Sequence, residues 1–304
     1  MSVGRIPVFF IGCVESSQIT LQTLLNRNEI EVIGVLCRRK SRFNADFVDI
    51  AKIALEAGVA VYFSEDLTNN GLVQLLNEVQ PEIVFAVGWS SLLDEDIIDI
   101  PQAGIIGFHP AALPQNRGRH PLIWALALGL EETASTLFLM DRNADSGPII
   151  NQHIIKITSQ DDARSLYNKV LEVLPIQINC VVDQLVSGGL SGTPQDTALA
   201  SSWRKRDRMD GEIDWRMSGA SIYNLTRALT RPYIGAEFCY RNTLVKLWRC
   251  EIVKEDIPLN AEPGKVLRID PTGPVIKTGF GCEGAAVRLL EWDGSLDFQE
   301  GDYL

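Results

Sequence analysis

Through the first 110 residues, uninterrupted apolar runs alternate with stretches whose apolar residues recur at helical spacing. IPVFFIG (6–12), IEVIGVLC (30–37), VAVYF (59–63), EIVFAVG (82–88) and AGIIGFH (103–109) predict five buried strands. Between them, SSQITLQTLLN (16–26), ADFVDIAKIALEAG (45–58) and NNGLVQLLNEVQ (69–80) predict helices, the second closed by Gly58. Continuous apolar runs of five to seven residues suit a parallel sheet covered on both faces. The expected fold class is therefore α/β: a Rossmann-like, doubly wound, mostly parallel sheet with right-handed crossovers.

The pattern changes after about residue 130. TASTLFLM (133–140) and GPIINQHIIKIT (147–158) predict strands joined by the polar loop DRNADS, and residues 161–189 predict a long amphipathic helix kinked at Pro175. The polar, turn-rich stretch 190–212 reads as a linker. One further helix (219–230) and five short β segments between 236 and 292 follow. Short strands broken by Gly and Pro turns predict a smaller β-rich, OB-like barrel domain. The expected organisation is a catalytic domain over 1–189, a linker over 190–212 and a β-rich domain over 213–304.

Composition narrows the function classes. The formal net charge of −11 opposes a surface built for nucleic acid, because Lys and Arg drive phosphate-backbone binding. The one basic patch read from the sequence, SSWRKRDRMD (201–210), is short and interrupted by acids. Six cysteines, at 13, 37, 180, 239, 250 and 282, include no C-x-x-C pair, so buried thiols in a reducing compartment are expected, with no metal and no disulfide framework. The N-terminus reads as a first strand and not as a signal peptide. With no apolar stretch of about 18 residues, no membrane span is expected and the cytoplasm is the expected location.

Candidate chemistry gathers at the ends of strands. His109 closes the fifth apolar run, and ligands bind beyond the carboxyl ends of the strands in open parallel sheets. The loop MDRNADSG carries two carboxylates, Asp141 and Asp145. An Asp beside an imidazole can orient and charge it, and such a pair moves protons near neutral pH. The first strand–helix turn, GCVESSQ, has one glycine and no G-x-G-x-x-G, which disfavours nicotinamide or flavin binding. Its helix start could still hold a phosphate. There is no Walker loop and no G-x-S-x-G elbow.

The segments GFHPAALPQNRG and ADSG together make the chain resemble the formyltransferases that use 10-formyltetrahydrofolate. The family pattern is roughly N-x-H-x-S-x-L-P-x-x-R-G, followed some thirty residues later by D-x-G. The opening VFFIGCVESSQITLQTLL and the later MDGEIDWRMSGASIYNLTRALTRPYIGAEF extend the likeness over nearly the whole chain. The resemblance implies His109 and Asp145 as catalytic residues. It implies a pterin site between GWSSLL (88–93) and the backbone of DRNADS, with Trp89, Ser91, Leu92 and Asn143 as cofactor-binding candidates. Ser90, Asn116 and Arg117 are substrate-binding candidates, and Arg119 is a further possible contact. Many sugar-formylating members carry a Lys where this chain has Ser90.

One departure stands out. The family Asn, two residues before the His, is Gly107 here. In the family its amide donates to the oxyanion, and loss of one such donor typically costs about 10²–10³ in rate. Asn116, Asn143 and His120 are candidate replacements. The resemblance implies an N-formyltransferase moving the formyl group from N10-formyltetrahydrofolate, as co-substrate, to the amine of a nucleotide-linked amino sugar, nearest the pseudaminic-acid-type branch. An aminoacyl-carrier formyltransferase, acting on methionyl-tRNA or a peptidyl carrier, is the alternative enzyme. A folate or nucleotide-sugar binding protein without turnover is the non-enzymatic one. A homodimer is compatible with all three.

Overall fold

The computed structural model describes residues 4–41, 45–258, 260–279 and 285–304. Its elements in chain order are β1 (Ile6–Ile11), α1 (Glu15–Leu25), β2 (Ile30–Cys37), α2 (Ile50–Glu56), β3 (Val61–Phe63), α3 (Asn69–Val79), β4 (Ile83–Ala86), α4 (Glu95–Ile98), β5 (Ile105–His109) and β6 (Arg117–Gly118). Then come α5 (Pro121–Ala127), β7 (Glu132–Leu139), β8 (Ile149–Lys156), α6 (Ala163–Val186), β9 (Ser202–Trp203), α7 (Gly219–Leu229), β10 (Ala236–Tyr240), β11 (Thr243–Ile252), β12 (Val266–Asp270), β13 (Gly273–Lys277) and β14 (Ala286–Trp292).

One seven-stranded sheet runs in the order β3-β2-β1-β4-β5-β7-β8. The pairings from β3 through β5 are parallel, and β7 joins β5 antiparallel. Alternate residues of each strand enter opposite cores, as a pleated strand requires. Val8, Phe10, Ile83, Phe85 and Ile106 pack on one side with α1 and the second half of α6. Phe9, Ile11, Val84, Ala86 and Ile105 pack on the other with α3 and α4. The doubly wound α/β class read from the sequence is what the structure has.

Two local expectations change. The helix expected over 45–58 is confined to α2, because residues 46–48 instead run alongside the first turn. Glu15 N donates to Asp46 O, Val48 N donates to Cys13 O, and Val14 forms an antiparallel bridge to Phe47. Asp49 then caps α2 through Ala51 N. The phosphate site suggested for the start of α1 is narrowed. Ser17 Oγ accepts from Cys13 N at 2.9 Å and from Val14 N at 3.0 Å, and it donates to Val87 O. The amides of Cys13, Val14 and Glu15 thus already have partners.

The chain forms two compact units that interleave in sequence. The first holds residues up to Pro121, Thr133–Ile155 and Asn168–Trp203; the second holds Leu122–Glu132, Lys156–Tyr167 and Arg204–Leu304. The division expected at 189 and 212 follows chain order, whereas contacts assign two central segments to the C-terminal unit. Residues 190–203 are not a free linker. Thr193 bridges Ile149, and β9 pairs with β6 in parallel, all within the first unit. In the second unit a five-stranded antiparallel sheet, β10-β11-β14-β13-β12, packs under α7 through Ile222, Leu225 and Leu229.

The thiols divide by burial. Cys13, Cys37 and Cys250 are buried, and burial pushes the Cys37 and Cys250 thiols up to about 12; Cys180 and Cys239 are exposed, against the expectation of buried thiols. Cys282 lies outside the described residues. Because the thiolate is the nucleophile, iodoacetamide at neutral pH should alkylate Cys180 and Cys239 in the folded protein. Cys37 and Cys250 should react only after unfolding. Peptide mass spectrometry of protein labelled before and after denaturation checks this.

Candidate active site

His109 is the last residue of β5, opposite Thr136 of β7, and only 5% exposed. The chain leaving it is tied down from two neighbouring strands. Thr136 Oγ1 donates to Ala111 O at 2.7 Å, and Gln152 of β8 donates to Leu113 O and to Thr136 Oγ1. The loop then reverses at Asn116, whose φ of 62° lies in the left-handed region that Asn tolerates. That reversal brings Asn116 O to 2.8 Å from His109 Nε2. A carbonyl only accepts, so Nε2 is the donor. The other ring nitrogen, Nδ1, lies 3.7 Å from Asp145 Oδ2. Both ring nitrogens thus face oxygen atoms, Nε2 at hydrogen-bond distance and Nδ1 at the longer distance of an ion-pair contact.

The two loop carboxylates separate cleanly by partner. Asp141 Oδ1 accepts from Asn143 N and from Ser146 Oγ, which makes it the organiser of the loop. Asp145 reaches the histidine. Its Oδ2 accepts from Gly118 N at 2.8 Å, and its backbone sits at φ 57°. Two glycines allow this closeness. A Cβ on Gly118, at φ 97°, would lie 2.2 Å from Trp203 O, and one on Gly147 would lie 1.7 Å from Leu139 O. Asp145 Oδ1 has no hydrogen-bond partner among the described residues.

The loop 88–93 follows β4 at the same edge of the sheet. Trp89, like Leu93 and Met140, packs against the rim of one core, and it carries the Arg38 guanidinium 4.8 Å from its ring centre. Ser91 Oγ accepts from Arg38 Nη2, and Ser90 O accepts from Arg119 Nη1. Leu92 stands 81% exposed. Asn143 is exposed in the DRNADS loop, its backbone amide bound to Asp141 and its carbonyl accepting from Ser146 Oγ.

Arg117 and Asn116 are braced from a segment that the sequence did not mark. Arg117 Nε and Nη2 both donate to Gln195 Oε1, at 3.2 and 2.7 Å. Gln195 Nε2 in turn donates to Asp145 O at 2.9 Å and Gly147 O at 2.7 Å. Asn116 N donates to Ser201 Oγ, and Arg117 N donates to Ser201 O. Gln195 and Ser201 lie in a polar stretch with no periodicity, so only their spatial partners expose them.

At Gly107, two residues before the histidine on β5, the side-chain space is filled from β7. A Cβ there would lie 2.7 Å from Phe138 Cζ, 2.9 Å from Phe138 Cε1 and 3.0 Å from Met140 Cε. Of the three replacement donors named for this position, Asn116 places its carbonyl on His109, and its side-chain amide has no partner among the described residues. Asn143 lies in the Asp141 loop, and His120 has a left-handed φ of 57°.

A buried imidazole between a carbonyl and a carboxylate can hold positive charge beside a reacting carbon, and the free carboxylate oxygen can accept a proton. Among the described residues no group of His, Cys, Asp and Glu could hold a metal ion. Residues 5–181 match the Formyl transferase family model, and residues 206–294 match that of the Formyl transferase, C-terminal domain. The chain belongs to the formyl transferase family.

Solved structures similar to this formyl transferase have the same fold at low identity. WlaRD, a sugar 3N-formyl transferase solved in the presence of dTDP and 5-N-formyl-THF, is 19% identical, with 95% of this chain and 98% of that one covered and a TM-score of 0.72. The N-formyltransferase from Helicobacter canadensis, in complex with folinic acid and dTDP-3-aminofucose, is 17% identical over 94% and 99% of the two chains, TM-score 0.72. A 4-N formyltransferase from Francisella tularensis is 18% identical over 78% and 93%, TM-score 0.64. No helix among the described residues of this formyl transferase is long and apolar enough to cross a membrane.

Proposed function

We propose that the protein transfers a formyl group from N10-formyltetrahydrofolate to the primary amine of a nucleotide-linked amino sugar. The observation that carries the reading is the His109–Asp145 pair at the carboxyl edge of the sheet, the imidazole buried, the carboxylate partly exposed and one of its oxygens without a hydrogen-bond partner among the described residues. The folate co-substrate supplies the formyl carbon when bound. The rim formed by Trp89, Leu92 and the backbone of the DRNADS loop offers apolar surface and peptide groups suited to a flat, polar-edged heterocycle.

In this mechanism Asp145 Oδ1 takes the proton released as the amine attacks, and His109, charged between Asn116 O and Asp145, stabilises the oxyanion. The amide of Asn116 is the candidate second donor, in place of the side chain missing at Gly107. Proton return to the departing folate nitrogen runs through the same carboxyl group, directly or through water. A sugar acceptor is favoured over a charged tRNA by the net charge of −11.

The test is formyl transfer from 10-formyltetrahydrofolate, followed by the absorbance of released tetrahydrofolate, against nucleotide-linked 3-amino and 4-amino sugars. Turnover on one of them is the expected result. Folate binding with no turnover on any sugar would overturn the reading, and turnover on methionyl-tRNA instead would replace it with the carrier reaction.

A further inference from the structure

We infer that Gln195 is a positioning residue for the His109–Asp145 pair, an inference that rests on the proposed formyl transfer for its kinetic meaning but not for its geometry. Its primary amide is fully used. Oε1 accepts twice from Arg117, and Nε2 donates both hydrogens, to Asp145 O and to Gly147 O. A primary amide has two good donor and two good acceptor sites, so one side chain bridges two loops with nothing left over.

Each loop carries one of the two contacts made by His109. The Asn116–Gly118 turn supplies the carbonyl on Nε2 and the Gly118 amide on Asp145 Oδ2. The Asp145–Gly147 turn supplies the carboxylate, from a backbone whose left-handed φ needs outside support. Ser201 and β9 hold the first turn from its other side, through Asn116 N, Arg117 N and the β6–β9 pairing. Among the described residues, Gln195 is the side chain from outside both turns that hydrogen-bonds to each. It therefore sets the distance between Asp145 Oδ2 and His109 Nδ1, 3.7 Å in this structure.

Two substitutions separate this role from mere bracing of Arg117. Gln195→Glu keeps, and strengthens, the acceptors for Arg117 while removing both donated hydrogen bonds and setting a carboxylate against two carbonyl oxygens. Gln195→Ala removes everything. If Gln195 positions Asp145, both variants lower kcat by about 10²-fold with KM for the amine little changed, and the Glu variant is at least as slow as the Ala variant. If it only braces Arg117, the Glu variant stays near wild type, which overturns the inference.

A second measurement does not need the reaction. The chain has three histidines, so the imidazole ¹⁵N signals of His109 can be assigned by comparison with His109→Ala. Those signals should move in both Gln195 variants and stay fixed in Gln184→Glu, a control whose side chain caps Ser191 N away from the pair. Unchanged His109 signals in folded Gln195→Glu and Gln195→Ala would overturn the inference even if no acceptor amine were ever found. Shifted signals without turnover on any amine would uphold it and count against the proposed function alone.

Discussion

Asp145→Asn is expected to lower kcat for formyl transfer by about 10²–10⁴-fold, the range for a positioned acid–base group, with little change in melting temperature. The substitution isolates charge. Asn tolerates the left-handed backbone that Asp145 adopts, and its amide oxygen can still accept from Gly118 N. What disappears is the base for the amine proton and the negative partner facing His109 Nδ1. His109→Ala should fall in the same range, since it removes the group set to stabilise the oxyanion. Because the two act as a unit, the double variant should be about as slow as the slower single one. Additive losses in the double variant, or near-normal kcat in either single one, would show that the reaction does not run through this pair.

Gly107→Asn, which writes the family residue back into the chain, should destabilise the protein by about 1–3 kcal/mol and bring no gain in rate. The position is not an empty donor site. Phe138, directly opposite on β7 and 2% exposed, lays its ring over the glycine, and Met140 closes the remaining space. An added Cβ meets the ring inside van der Waals contact, and the ring is held in a packed interior with little room to turn. Urea unfolding of the single variant measures the cost. Phe138→Leu in the same chain should recover part of it, because the two sites share a contact and are therefore coupled. A Gly107→Asn protein as stable as wild type and faster would mean that the ring swings aside and the position remains a usable oxyanion donor.

The expected helix over 45–58 and the expected linker over 190–212 went astray for the same reason. Residues 46–48 have helical periodicity but pair with Cys13–Glu15, and 190–203 has no periodicity but pairs with β6 and Ile149. Neither partner is near in sequence. Backbone donors and acceptors must be satisfied, and a tertiary partner satisfies them as well as a local one.

Strands β1, β2, β4 and β5 were legible within about two residues, and the C-terminal sheet as five short segments, because apolar runs report local burial. His109 at a strand end and the polar loop carrying Asp141 and Asp145 were legible too, since both follow from chain order and residue type, whereas the D-x-G pattern came from the family resemblance. The choice of Asp145 over Asp141 came only from the family resemblance, and neither the filling of the Gly107 site by Phe138 nor the clamp made by Gln195 was legible. The Gln195 contacts join residues 48, 50 and 78 positions apart. Periodicity and composition encode what each segment does with its own neighbours and with water. A hydrogen bond between distant side chains depends on where several elements end in space, and that is settled only when the whole sheet has packed.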